Sequence, residues 1–379
     1  MKAFKLGFIL IFSMPFIAVS EPLDEKMTGF TEAMETLRAK HNIPGFSAAV
    51  VKDNSAVWQQ SYGYADGNRV VPVTADTPFW IASITKTFLG LALLQLEQNE
   101  GLDLDRVANK TPDFTGLCEW LESTTIPFAS GLDCKQPITI RHILHHQVNH
   151  PVGSQFMYNP IMYSRLSRHL EYLYGRGVKG RHNYLGKTID KYIVEPAGMT
   201  RTMSSMWDDT KLRVFYDLAD GFNVDEKGYK SKAQRPDKHI AGGAGVVSTL
   251  NDLIKYDIAL RSGAIASGTV KKALMAPATF EDGSVSPYGF GWYFQEYNGE
   301  KLMWHSGWDP DAGYSALMLR VPKRQLTFIV LANSEGLWWG NPLDKAEVEN
   351  SDFAQAFFEA VIPPFQTAVI RRNSLSRSQ

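Results

Sequence analysis

The chain has 379 residues, 44% of them hydrophobic and 21% charged, with a formal net charge of −1. That is globular composition, with apolar material for a large core and length for one large domain or two interleaved ones. Near-neutral charge excludes the basic footprint of a nucleic-acid binder, and no internal repeat or low-complexity segment points to an array or a scaffold.

Residues 1–20 read as a leader. Lys2 and Lys5 precede an apolar run from Leu6 to Val19, interrupted by Pro15, and Ala18-Val19-Ser20 fits a small-x-small cut. The run is too short and broken for a membrane span, and no cysteine follows the cut to carry a lipid. The expectation is export to a bacterial periplasm or beyond, with no stable membrane anchor after cleavage.

Helical periodicity over Leu23–Lys40 (Met27, Phe30, Met34, Leu37) stops before Pro44-Gly45. Phe46–Lys52 and Ala56–Gly63 flank Asp53-Asn54 as a hairpin. A turn-rich link with Pro72 and Pro78 then leads to Phe79-Trp80-Ile81-Ala82-Ser83-Ile84-Thr85-Lys86, an apolar approach to an amphipathic helix over Leu89–Gln98. Ser83 falls at that helix start, and Lys86 shares its face one turn on. A hydroxyl against an amine makes a nucleophile and base pair, because serine attacks only when a neighbour takes its proton. The helix start adds free N–H groups suited to an oxyanion. Alone, Ser-x-x-Lys is weak: roughly one arises by chance in a chain this long, and an N-cap serine beside an exposed lysine is the ordinary reading.

Cys118 and Cys134 flank a polar segment, residues 119–133, that reads as a surface excursion between helices. In an exported protein they would close that loop as a disulfide, stabilising by about 2–3 kcal/mol. Residues 85–275 are mostly helical in pattern, with candidates at Ile138–His146, Met162–Tyr174 and, after the Ser248-Thr249 cap, Asn251–Arg261. Strands return at Tyr288–Gln295, Lys301–His305, Tyr314–Val321 and Gln325–Leu331. A last helix over Asp352–Val361 precedes a basic, serine-rich tail, residues 365–379, expected to be disordered. The fold class is therefore α+β. An antiparallel sheet of about five strands from both chain ends, flanked by helices, would form one lobe (residues 21–80 and 280–364). Residues 85–275 would form an inserted helical lobe, with Ser83 at the junction, where clefts usually lie.

In that order and spacing, the short landmarks identify the chain as similar to the serine β-lactamase and penicillin-binding-protein superfamily, in the branch of class C β-lactamases, DD-peptidases and related esterases. The landmarks are Ile43-Pro44-Gly45, Tyr62-Gly63-Tyr64-Ala65-Asp66, the Ser83 motif, Ile138-Thr139-Ile140-Arg141-His142-Ile143-Leu144 and Pro196-Ala197-Gly198-Met199. Ala241-Gly242-Gly243, Gly289-Phe290-Gly291-Trp292 and His305-Ser306-Gly307 complete them. Together they span about residues 28–361.

The resemblance implies that Ser83 is acylated and Lys86 is its base, which requires an amine with a lowered pKa. It places Tyr158 of Phe156-Met157-Tyr158-Asn159-Pro160 as the family's Tyr-x-Asn tyrosine, a proton shuttle to the leaving group, with Tyr163 and Leu166 downstream. It gives Ser306 a hydrogen bond to a substrate oxygen. Gly307 becomes a place where a substrate backbone lies against the strand. The Trp308 N–H becomes the oxyanion partner of the Ser83 N–H.

Two departures lean away from penicillin hydrolysis. Pro160 stands where the family has a substrate-holding asparagine, leaving Asn159 one residue early for that task. His305 replaces the family's lysine, which implies a charge that varies near neutrality.

Competing readings are few. His142, His146 and His150 recur every four residues, which would put two metal ligands on one helical face, but no His-Glu-x-x-His pattern or acidic third ligand accompanies them. A non-catalytic or slowly deacylating binder of cell-wall peptides or β-lactams on the same fold is the alternative, although Ser83, Lys86, Tyr158 and His305 all remain. Among the tryptophans, Trp292 and Trp308 are placed near the cleft. The reading is an exported serine hydrolase acting on an ester or amide: a small ester, a D-amino-acid peptide or a β-lactam. No metal or organic cofactor is implied.

Overall fold

The computed structural model describes residues 23–362 except 176–182, 207, 229, 237–240 and 343. The leader and tail expected at the two ends lie outside the described residues. The centre is an antiparallel sheet of six strands, one more than expected: β1 (Gly45–Lys52), β2 (Ser55–Gly63), β3 (Tyr293–Tyr297), β4 (Glu300–Asp309), β5 (Tyr314–Val321) and β6 (Leu326–Ala332). Their order is β2-β1-β6-β5-β4-β3. The first hairpin therefore joins the C-terminal meander through β1 and β6, in a register that sets Phe46 opposite Ala332 and Lys52 opposite Leu326. Strands β5 and β6 are buried along their whole lengths, and β1 up to Lys52, which is why they read as mostly apolar runs without polar alternation.

Helices cover both faces. On one, α1 (Leu23–Lys40) and the C-terminal helix Asp352–Val361 pack Phe30 and Phe357 against Phe328, with ring centroids 5.8 and 5.2 Å away. Burying one such side chain contributes about 1.5–3 kcal/mol. On the other face lies α2 (Thr85–Glu100) with the rest of the helical block, including α3 (Pro160–Tyr174) and α4 (Leu250–Ser262).

Helix α2 is not the amphipathic helix expected. Every residue from Thr85 to Leu94 is buried, so it runs through the core and reaches solvent only near its C-cap, Gly101, at φ 71°. The expected helix over Ile138–His146 shrinks to Ile140–Leu144. His146 and His150 lie beyond it at φ 54° and 60°, so the histidines do not share a helical face.

The strand expected from Tyr288 begins only at Tyr293. Residues 289–291 instead form a turn that presses on the start of α2: a Cβ on Gly291 (φ 82°) would lie 2.2 Å from the Lys86 carbonyl oxygen. One on Gly90 of α2 would lie 2.4 Å from that of Phe290. These two glycines seat α2 on the sheet side of the molecule. Cys118 and Cys134 are disulfide-bonded. Among the described residues, no helix is long and apolar enough to cross a membrane.

Candidate active site

Ser83 lies in a tight 3₁₀ turn, Ala82–Ile84, immediately before α2. Its neighbour Ala82 is held at φ 44°, in the left-handed region that costs a non-glycine residue about 1 kcal/mol. The turn packs on β4 through backbone: a Cβ on Gly307 would sit 2.3 Å from the Ile81 carbonyl oxygen. The Ser83 turn by itself thus requires the glycine. Pairing of β4 with β3 stops at Trp304, so the backbone of Ser306-Gly307-Trp308 borders an open cleft.

Lys86 donates to Ser83 Oγ at 2.9 Å and to the Gly243 carbonyl at 2.8 Å. The amine is buried, and burial alone brings it down to about 7. At that value a good part of the population is a neutral amine at physiological pH, able to accept the serine proton. Tyr158 is also buried and hydrogen-bonds Ser83; burial pushes its phenol well above the ordinary value, so it stays protonated. A base near 7 and a phenol far above it, both on one hydroxyl, divide the acid and base roles between them. Lys86 Nζ lies 4.9 Å from the Tyr158 ring centroid.

The cleft holds about 230 Å³, lined by Ser83, Lys86, Tyr158, His305, Ser306 and Trp308 among others, so six of the site residues expected from sequence converge. Gly307 joins them through its backbone contact. Asn159 does not. Its amide nitrogen donates to the Phe128 carbonyl (2.9 Å) and to Asn149 Oδ1 (3.1 Å), and its Oδ1 caps α3 by accepting the Met162 N–H (3.0 Å). No part of that amide is left for a substrate, which corrects its expected role. Pro160 lines the cleft as the first residue of α3, where a missing N–H costs nothing.

His305 also differs from expectation. It is buried, with Nδ1 2.6 Å from the Ser306 carbonyl and Nε2 3.0 Å from the Tyr288 hydroxyl. The carbonyl fixes the proton on Nδ1, so the Tyr288 hydroxyl donates to Nε2. Burial first, then the positive field of Lys86, lowers the ring to about 3, and the imidazole stays neutral through the whole physiological range. The charge that varies near neutrality belongs to Lys86. Trp292 is a core residue with Arg320 over its ring, not a cleft residue; Trp308 lines the cleft and stacks on Trp338 at 4.9 Å.

Several groups at the site had no role there assigned from sequence. The Gly243 carbonyl holds Lys86 through backbone. Phe128 reaches the cleft from inside the disulfide-closed loop, pinned by Asn149 and Asn159. His146, with its ring centroid 4.4 Å from that of Tyr158, accepts the Asn159 N–H on Nδ1 and the Met157 N–H on its carbonyl. The histidine-rich loop is therefore a cradle for the tyrosine segment. A methyl-sized group at Gly243 would meet Ser164 Oγ at 2.0 Å, which explains a glycine there only after the helices are docked.

Comparison with known proteins places this geometry. A family model described as beta-lactamase matches residues 30–348. A D-aminopeptidase from Brucella anthropi is 27% identical over 310 residues, covering 77% of this chain and 56% of that protein. Penicillin-binding protein 4* of Bacillus subtilis is 24% identical over 364 residues, covering 86% and 73%. The chain thus spans little more than half the length of the D-aminopeptidase. Among solved structures, the octameric penicillin-binding protein homologue from Pyrococcus abyssi superposes with TM-score 0.65 at 22% identity, covering 88% of this chain and 77% of that one. A class C beta lactamase from Rhodobacter sphaeroides gives 0.61 at 16%, covering 88% and 99%. At those identities the structures establish the shared fold.

Proposed function

Because the chain belongs to the β-lactamase family, we propose that it is a serine hydrolase working through an acyl-enzyme on Ser83. The observation that carries the reading is the buried Lys86 amine, near 7, on the Ser83 hydroxyl at 2.9 Å. Lys86 takes the Ser83 proton as Oγ attacks the substrate carbonyl. The Ser83 and Trp308 N–H groups receive the oxyanion, and the Tyr158 phenol protonates the departing oxygen or nitrogen. Water then cleaves the acyl-enzyme, its proton passing to Lys86 or Tyr158.

Substrate choice follows from what His305 does not supply. A neutral imidazole offers no cation for a substrate carboxylate, which favours esters and amides without one at that position over β-lactams. The D-aminopeptidase relative is in keeping with an amide substrate. Export is part of the proposal, supported by the leader-like residues 1–20 and the disulfide. A second reading, an acylated protein that releases its product slowly, is favoured by Pro160, which leaves no amide at that point of the cleft.

Intact-mass analysis after treatment with a fluorophosphonate and, separately, penicillin tests both, with Ser83→Ala as control. One adduct on the wild type and none on the variant is the expected fluorophosphonate result. A penicillin adduct that persists for hours would favour the slow-release reading. No adduct with either reagent would remove the acyl-enzyme mechanism.

A further inference from the structure

Asp309, the last residue of β4, has no part in the acyl transfer, yet among the described residues it is the only acidic side chain lining the cleft. Its carboxylate accepts the Trp80 indole N–H at 3.1 Å on one oxygen and the Ala312 N–H at 3.0 Å on the other. With the Asp311 backbone N–H as a third donor, these bonds fix its orientation and bring no counter-charge. Among the described residues Asp309 forms no ion pair. Burial raises its carboxyl above the ordinary value, against the hydrogen bonds it accepts from Ala312, Trp80 and Asp311. A half-buried carboxylate without a counter-charge is unfavourable until a cation arrives.

The surroundings suit an ammonium group. Trp308 and Trp338 present stacked indoles on the cleft, and Trp308 Nε1 donates to Glu335 at 3.2 Å, which adds negative charge behind the rings. Among the described residues the one cation lining the cleft, Lys86, is committed to Ser83 and Gly243, and His305 is neutral.

Position along the strand says which half of a substrate meets Asp309. His305, with Tyr158 across from it at 6.1 Å between ring centroids, marks the leaving-group end. Gly307 faces the Ser83 turn. Asp309 lies four residues beyond His305, about 13 Å along an extended strand, on the far side of the nucleophile. That is the acyl side.

We propose that Asp309 receives the protonated amine of an aminoacyl group, so that the preferred substrates are esters and amides of amino acids whose amine is free. The proposal rests on the Ser83 hydrolase reading and deepens it.

The test compares matched pairs at pH 7: D- and L-alanine 4-nitroanilide and their N-acetyl counterparts, with 4-nitrophenyl butyrate as a neutral reporter. Free-amine substrates of one enantiomer should be turned over with kcat/KM at least tenfold above the acetylated ones. In Asp309→Asn that ratio should fall to about one. A wild-type ratio near one, or a ratio unchanged in the variant, would overturn the ammonium subsite while butyrate turnover left the hydrolase standing. Absence of turnover of every substrate, with no fluorophosphonate adduct on Ser83, would overturn both. The wild-type ratio decides the matter even if Asp309→Asn fails to fold.

Discussion

Among the described residues, two cations are buried under opposite conditions. Arg320 of β5 donates to Asp257 Oδ1 at 2.9 Å, while Arg261 of α4 meets Oδ2 of the same carboxylate at 2.6 Å and Thr327 adds a hydrogen bond at 2.8 Å. Lys86 has a hydroxyl, a carbonyl and two tyrosine rings, and among the described residues no carboxylate within ion-pair distance. The first arrangement compensates a buried charge and ties α4 to the sheet. The second withholds compensation, and the amine answers by giving up its proton near neutrality. Burial is common to both; the missing counter-charge separates a strut from an amine that can act as the base proposed above.

The largest effects should come from the uncompensated side. Lys86→Met keeps the stem and removes the base, and should slow fluorophosphonate labelling of Ser83 by about 10³-fold or more. The same substitution should change how stability depends on pH. The folded state binds the lysine proton more weakly than the unfolded chain does, so the unfolded chain holds more protons between about 7 and 10.5. Stability should rise with pH across that window by on the order of 5 kcal/mol, a slope that urea unfolding should find missing in Lys86→Met.

The compensated side breaks differently. Asp257→Ala leaves two arginines facing each other and should cost about 3–5 kcal/mol of stability, with labelling of Ser83 unchanged in whatever fraction stays folded. Replacing Cys118 and Cys134 together by serine should cost about 2–3 kcal/mol and raise KM several-fold, because the loop they close carries Phe128 into the cleft. Tyr288→Phe should be mildest, about 1 kcal/mol and less than tenfold in labelling rate, since it removes a single donor to His305.

The sequence made the fold legible where side-chain pattern and backbone agree. Tyr314–Val321 and Asp352–Val361 have the bounds expected of them, and α3 starts two residues before its expected Met162. It misled where burial overrides periodicity. Helix α2 sits in the core on all sides, and the apolar run at Tyr288 bends because Gly291 must pass the Lys86 carbonyl. Ser83, Lys86 and Tyr158 stand at motif spacings and come together in one cleft, so their convergence was legible in sequence. Asn159 and His305 were misjudged because residue type does not disclose orientation: one spends its amide on Phe128 and Asn149, the other is sealed in by Ser306 and Tyr288. The Gly243 carbonyl could not have been found, since every residue has a carbonyl and only docking selects this one. Asp309 is singled out only by the folded cleft, whose lining has no other acid among the described residues.

The most direct test of the account is the rate of fluorophosphonate labelling of Ser83 followed from pH 5 to 10. The rate should climb tenfold per unit at low pH and level above about 7, as Lys86 becomes neutral. A rise centred near 10, the range of an ordinary lysine, or a rate indifferent to pH, would contradict the claim that burial makes Lys86 the base.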